Sequence, residues 1–378
     1  GFFDLLSSDL FVNNLQHLYV SLFLIDFFTD SLYKVVAGYK KLETLYVHGE
    51  VQHAATLENN PLPPTLKSFQ FYQYHFKGLF TDTFLSTLPK GLEKFAASGS
   101  WVSVTPAGLQ QMMTNLTNLT SINLDGDAIT PAQAASLVSE KITSLSISNC
   151  NQLQTADYVG LVNNLPNLTT LSWLQAKNFN DQVPLPTNLK SFSIDSPTAT
   201  FTAVPNGLEE LTIMGNRYIY TVYSELNRLK SLHTLRVIRC RGFNDGALIP
   251  LLESNKKQLR FIELNEVSVT LEGTKKLGEC PELRTLILNY LTPFTADMLS
   301  ILLNNVNLQN RIQNLYIGDL ELNLTNIGEI LSKYTHLSLL FLMLMELQVP
   351  NNLKLSDKTI RSYWLGASQY RQFIQLTK

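Results

Sequence analysis

Between Gln258 and Tyr290 the sequence states one phrase twice. Leu259, Ile262 and Leu264 stand in the spacing L-x-x-L-x-L, and Leu283, Leu286 and Leu288 repeat it 24 residues later. Between the two, Thr270–Gly278 is amphipathic, with Leu271 and Leu277 on a helical period. A phrase that returns at a nearly fixed interval constrains the fold more than any single residue, because similar units adopt similar structures and pack on one another.

With Ile, Val, Phe or Trp allowed at the apolar places, the phrase opens at Leu15, Leu42, Leu66, Leu92, Leu119, Ile142, Leu168, Leu189, Leu208, Leu232, Leu259, Leu283, Ile312 and Leu337. That is about fourteen copies, 19 to 29 residues apart. Leu92–Ala97 is the weakest, since Ala97 fills the last apolar place. In a pleated strand the fourth and sixth positions point to one side and the residues between them to the other. One such strand cannot bury its apolar side alone, so the units must stack. Strands pair at roughly 4.8 Å, whereas helix axes need roughly 8–10 Å, so such a stack bends towards its strands. The expectation is an α/β solenoid of horseshoe form, with a parallel β-sheet on the concave face and helices or 3₁₀ turns on the convex face.

These residues resemble the leucine-rich repeat family. Its repeats often place Asn or Cys three positions after the last core residue, and Cys150, Cys240 and Asn216 stand there after Ile147, Val237 and Ile213. From Leu232 onward the repeats resemble the ribonuclease-inhibitor type. Asp245–Ser254, Thr295–Asn304 and Asn326–Lys333 carry the 3.6 period, with Thr295 and Asn326 placed as N-caps. Four repeats open after a proline, in Pro-Pro-Thr-Leu66, Pro-Lys-Gly-Leu92, Pro-Thr-Asn-Leu189 and Pro-Asn-Gly-Leu208. These resemble the short Pro-x-x-Leu repeats of some amoebal and bacterial effectors, and imply an extended or 3₁₀ convex side there. The chain is expected to be a single solenoid over residues 1–378. Residues 1–14 would be an apolar helix serving as N-terminal cap or remnant of a missing domain, 15–343 the repeats, and 344–378 a C-terminal cap.

Charged residues make up only 16% of the chain and the net charge is −2. No global basic field recruits nucleic acid. Three scattered cysteines cannot form a disulfide framework, and two sit at the family's Asn/Cys place, which predicts buried, reduced thiols. That favours a reducing, intracellular setting, cytoplasmic by expectation, with a secreted effector or surface protein as the alternative. Asn115, Asn118, Asn167 and Asn323 each begin Asn-Leu-Thr, formally a glycosylation acceptor. The simpler reading is that this triplet is how several repeats begin their strands. The apolar run Leu18–Phe28 contains Asp26 and is too short for a membrane span.

No phosphate-binding glycine loop, dinucleotide fingerprint, nucleophile elbow or zinc-protease motif is present. His48 and His53 lie five apart with no cysteine near, and none of the cysteines has the Cys-x-Asp setting of the bacterial ligase effectors. The expectation is no enzyme, no cofactor and no metal. The informative positions are the outward residues of each strand, which form columns across the concave face. The central column runs Tyr19, Tyr46, Gln70, Ala96, Asn123, Ser146, Ser172, Ser193, Thr212, Arg236, Glu263, Ile287, Tyr316, Phe341. A flanking column carries His48, Tyr72, Asp125 and Asp195. Exposed aromatics are preferred contact anchors.

The candidate partner-binding residues are therefore Tyr19, Tyr46, His48, Tyr72, Asp125, Arg236, Glu263, Ile287, Tyr316 and Phe341. They form two patches, an N-terminal one of tyrosines with His48, and a C-terminal one of Ile287, Tyr316, Leu339, Phe341 and Met343. Arg236 beside Glu263 reads as a cross-strand ion pair. The leading function is a non-enzymatic protein-interaction module or scaffold binding one or more proteins through the concave face or rim. The alternatives are a substrate-recognition subunit of a ubiquitin ligase, which needs an F-box-like segment, and a structural subunit of a large assembly.

Overall fold

The computed structural model describes residues 2–22, 28–49, 61–72, 80–99, 101–126, 129–175, 182–195, 200–201, 204–215, 226–323, 333–346, 362–367 and 374–377. The chain divides into two compact units, Gly1–Leu189 and Lys190–Lys378. In the first, β1 (His17–Leu22), β2 (Thr44–Gly49), β3 (Ser68–Tyr72), β4 (Lys94–Ser98), β5 (Ser121–Asp125), β6 (Ser144–Ser148) and β7 (Thr170–Leu174) pair in sequence order and in parallel. A two-residue strand, β8 (Gln182–Val183), follows. In the second unit, β9 (Ser191–Asp195), β11 (Glu210–Met214), β12 (Thr234–Ile238), β13 (Phe261–Asn265), β14 (Thr285–Asn289), β15 (Asn314–Asn323) and β16 (Leu339–Glu346) do the same, with the short β10 (Thr200–Phe201) between the first two in sequence. Thus each unit is built of leucine-rich-repeat-like turns with an α/β layering.

The apolar period explains the strands. Leu45, Val47, Phe69, Phe71, Ile122, Leu124, Ile262, Leu264, Leu286 and Leu288 are at most 1% exposed, while the residues between them face outward. Burial of each is worth roughly 1.5–3 kcal/mol, so a one-residue slip that inverted a strand would be prohibitive. The weak repeat obeys the same rule, because Ala97 is also buried. Its missing volume lies beside a cluster in which Phe80 meets Trp101 at 4.8 Å and Phe69 meets Phe95 at 6.2 Å.

Several strands begin at a tight turn. The Leu66, Leu92, Leu189 and Leu208 N–H groups donate to the carbonyls of Pro63, Pro89, Pro186 and Pro205 at 3.0–3.2 Å. Leu119 and Leu283 make the same turn on Leu116 and Cys280 without proline. Proline therefore presets a turn that the other repeats also use. Asn-Leu-Thr belongs to this junction. Asn167 Nδ2 donates to the Glu140 carbonyl at 2.7 Å, and the Thr169 and Thr120 hydroxyls donate to the preceding repeat at Thr143 and Glu93.

Many strands end with a residue at positive φ: Gly99, Gly126, Asn149 and Gln175 in the first unit, Gly215, Arg239, Glu266 and Tyr290 in the second. The N–H so turned donates to the next strand's last carbonyl, as Arg239 does to Asn265 at 2.8 Å. Two of the cysteines stand just beyond. Cys150 Sγ lies 3.3 Å from the Ser148 carbonyl, and Cys240 Sγ lies 3.4 Å from that of Ile238. All three cysteines are free and buried. Asn216 lies outside the described residues.

The helical layer of the first unit comprises α1 (Phe2–Leu6), α2 (Asp9–Asn14), α3 (Phe28–Val36), α4 (Asp82–Thr87), α5 (Pro106–Asn115), α6 (Pro131–Ala135) and α7 (Thr155–Asn163). In the second it comprises α8 (Asp245–Asn255), α9 (Leu271–Gly278), α10 (Ala296–Leu303) and α11 (Val306–Arg311). Thr295 caps α10 as its position predicts, and Thr270 caps α9 in the same way. The Asn326–Lys333 helix falls almost wholly outside the described residues. Expected as one helix, residues 1–14 form two, because the chain turns at Ser7–Ser8 and Ser8 adopts an extended conformation. Tyr39 Oη donates to the Leu6 carbonyl at 3.0 Å and ties α1 to the first repeat. In the C-terminal segment, β17 (Ser362–Ala367) pairs in parallel with β16, and β18 (Ile374–Thr377) pairs antiparallel with β17. The C-terminal segment extends the sheet of its unit.

Two polar links recur between successive helices. The Asp82 carboxylate at the start of α4 accepts from Thr105 N–H at 2.8 Å and from the Thr105 hydroxyl at 2.6 Å, and Thr105 is the N-cap of α5. Asp245 at the start of α8 does the same for Thr270, the N-cap of α9, and accepts in addition from Gly273 N–H at 3.1 Å. In both cases the residue three after the threonine is glycine. A Cβ on Gly108 would lie 1.9 Å from Asp82 Oδ1, and one on Gly273 would lie 2.4 Å from Asp245 Oδ1.

Candidate interaction surface

The parallel register places the outward columns as the spacing predicts. Tyr19 stands opposite Tyr46, Tyr46 opposite Gln70, Gln70 opposite Ala96, and Ala96 opposite Asn123. In the second unit Arg236 stands opposite Glu263, Glu263 opposite Ile287, and Ile287 opposite Tyr316. Phe341 stands opposite Tyr316 on β16, but its side chain and that of Met343 lie outside the described residues.

The N-terminal tyrosines form a continuous ladder. Tyr19 and Tyr46 have ring centroids 5.9 Å apart, and Tyr46 and Tyr72 have theirs 5.5 Å apart. His48 stands beside Tyr72 in the flanking column and is half-buried. Tyr72 does more than pack. Its hydroxyl accepts from Asn123 Nδ2 at 3.3 Å, so the side chain reaches across β4 to β5. Only a small residue fits beneath such a span, which accounts for Ala96 in the central column, 7% exposed on a face where its neighbours are half-buried. Burial pushes the Tyr72 phenol above its ordinary value, Tyr46 and Asp125 push the same way, and the Asn123 hydrogen bond opposes them. Tyr72 is therefore a neutral, fixed anchor at neutral pH. Asp125 accepts from Asn149 Nδ2 at 2.7 Å and braces the positive-φ residue at the end of β6.

In the second unit the polar residues of the central column are matched to each other. Arg236 Nη1 lies 3.5 Å from Glu263 Oε2, and its guanidinium sits 4.4 Å over the Phe261 ring. A half-exposed pair of this kind contributes little stability, but it holds the Arg236 side chain flat on the sheet. Ile287 and Tyr316 are half-buried next to it. The two patches lie in different units.

Two contributors were not singled out in the sequence. Asn123 anchors Tyr72, and its position opposite Ala96 was the available signal. Phe261 supports Arg236, and the outward column one place before the centre would have shown it. Among the described residues no group of His, Cys, Asp and Glu converges to hold a metal ion, and no helix is long and apolar enough to cross a membrane.

No family model and no curated protein matches the chain. Solved structures do. A chain of the yeast Rad7–Elc1 complex matches with TM-score 0.47 and 14% identity, covering 90% of this chain and 75% of that one. An internalin, InlF, of Listeria monocytogenes matches with TM-score 0.39 and 17% identity, covering 76% and 84%. A Bacteroides fragilis protein matches with TM-score 0.37 and 14% identity, covering 57% and 72%. Each is a likeness in fold. The strand–turn–helix unit, its parallel register and its buried leucine ladder define the chain as a leucine-rich-repeat-like solenoid protein.

Proposed function

We propose that this chain is a non-enzymatic protein-interaction module that docks a protein partner on the sheet face of its first unit, at Tyr46, Tyr72, His48 and Tyr19. The observation that carries this reading is the tyrosine ladder. Three aromatic side chains lie in a row on the sheet, Tyr46 in contact with both Tyr19 and Tyr72, and Tyr72 is fixed by a hydrogen bond from Asn123. Pre-organised aromatics lose little conformational freedom on binding and are the commonest interface anchors. The second-unit patch is the weaker candidate, because Arg236 and Glu263 already satisfy each other. The long helical repeats around α8 to α10 fit the ribonuclease-inhibitor type, and the proline-led turns into Leu189 and Leu208 fit the short Pro-x-x-Leu type. A reducing compartment suits the three buried thiols.

The test is affinity capture with the full chain, comparing wild type with Tyr46→Ala plus Tyr72→Ala. A stoichiometric protein retained by wild type and lost by a folded double variant supports the reading. Retention of the same protein by both moves the docking surface elsewhere. Co-purification of a ubiquitin-ligase adaptor, or of many subunits of one particle, would favour the substrate-recognition or the structural role instead.

A further inference from the structure

Among the described residues the tyrosine ladder ends at Tyr19. Tyr46 lies between Tyr19 and Tyr72, but Tyr19 stands on β1, the first strand of its sheet, and is 69% exposed. The backbone is open at the same place. Glu43 and Thr44 N–H groups both donate to the Gln16 carbonyl, so Gln16 faces β2. Because successive residues of a strand direct their N–H and C=O groups to opposite sides, Leu18 and Val20 also face β2. His17, Tyr19 and Ser21 present theirs to the free edge. Sheet edges that avoid association carry lysine, proline or a bulge. β1, HLYVSL, has no lysine, no proline and an unbroken register with β2. The helical layer is exposed at this end among the described residues. No residue of α2 is buried, and Leu5 and Leu10 are 55% and 69% exposed.

We propose that this edge is a homotypic interface, in which a second copy of the chain adds its own β1 antiparallel across a two-fold axis centred on Tyr19. The strand is self-complementary in that register. Antiparallel pairing about Tyr19 sets His17 against Ser21 of the copy, and every edge-facing N–H and C=O of His17, Tyr19 and Ser21 finds a partner. Leu18 meets Val20 of the copy on the buried side, so the apolar layer runs on without interruption. The two Tyr19 residues form a hydrogen-bonded pair with Cα atoms about 5.5 Å apart, on the same face as the existing ladder. A two-fold axis brings each charge of the strand near its own copy, and β1 contains no Asp, Glu, Lys or Arg to repel itself. A strand from a different protein would need none of this symmetry.

The proposal does not depend on the docking reading. Sedimentation equilibrium of the full chain is expected to show a dimer whose dissociation constant rises at least tenfold with Tyr19→Lys, which sets two like charges face to face. Ser21→Pro is a second variant that removes one edge N–H and leaves the β1–β2 pairing untouched. Mild oxidation of Tyr19→Cys is expected to give a covalent dimer, since the pair distance falls within the disulfide range. Ser21→Cys, which faces His17 of the copy, is not expected to do so. The native thiols are buried and do not interfere. A chain that stays monomeric and gives no cross-link with Tyr19→Cys overturns the proposal, as does a dimer that both Tyr19→Lys and Ser21→Pro leave intact. Tyr46→Ala plus Tyr72→Ala retains every hydrogen bond of the edge, so loss of a docked partner and loss of the dimer are separate readouts.

Discussion

Replacing Gly108 by alanine should destabilise the first unit in the native background and stabilise it once Asp82 is gone. Gly108 is the third residue of α5, where alanine is favoured over glycine by about 1 kcal/mol. The new Cβ would lie 1.9 Å from Asp82 Oδ1 and 2.2 Å from its Cγ, closer than any real contact, so the carboxylate must swing away. Its departure breaks the hydrogen bonds from Thr105 N–H and Oγ1. At about 0.5–1.5 kcal/mol each, these together are worth about 2 kcal/mol. The net effect of Gly108→Ala is then a loss of about 1 kcal/mol. In an Asp82→Ala background the bonds are already absent and the space is free, so the same change should gain about 1 kcal/mol. The coupling is about 2 kcal/mol, well above the deviation expected of independent sites.

The assay is urea unfolding of the four members of this cycle, followed by tryptophan fluorescence. Trp101 and Trp173 are fully buried in the first unit, and a Trp364→Phe background confines the signal to them. If Gly108→Ala shifts stability equally with and without Asp82, the link between helices is not a stabilising contact and the reasoning fails. The Asp245, Thr270 and Gly273 set in the second unit should behave alike.

Other expectations follow from buried polar groups. Asn255 is 1% exposed and is saturated: it donates to the Leu229 and Leu251 carbonyls and accepts from Leu232 N–H and Gln258 Nε2. Asn255→Leu strands several of these groups, and at about 1–3 kcal/mol for each one left unpaired it should cost at least as much as Leu286→Ala, at about 2–5 kcal/mol; chemical denaturation midpoints of the two variants would show otherwise. Burial raises the phenols of Tyr33, Tyr158 and Tyr334 above the ordinary value of 10.0. Below pH 10 they are protonated in both states and add no pH dependence. Above it the unfolded phenols ionise first, so stability should fall by up to about 1.4 kcal/mol per pH unit for each, with phenolate absorbance appearing only on unfolding. Titration of these tyrosines in the folded chain near pH 10 would contradict their burial. Burial pushes the Cys280 thiol up to about 12, so a thiol reagent at pH 8 should label it only after denaturation.

The repeated L-x-x-L-x-L phrase by itself determined the strands, their inward residues and the parallel register, because a period of two with one buried side leaves no other alignment. It determined the cysteine environment for the same reason, since a residue at a fixed offset from a strand returns to the same place in every turn. The proline-led turns were legible as strand starts, although their hydrogen bond is shared by repeats without proline. What the phrase could not show were the side-chain contacts between repeats. Tyr72 reaches Asn123 because Ala96 leaves room between them, and Arg236 lies over Phe261 because their strands are neighbours. The Asp82–Thr105–Gly108 link needs a carboxylate from one helix, a cap from the next and a glycine that admits both. Each residue is ordinary in its own repeat. Only stacking brings them within hydrogen-bonding distance, and only the tertiary structure shows that among the described residues the tyrosine ladder ends on β1, the first strand of its sheet.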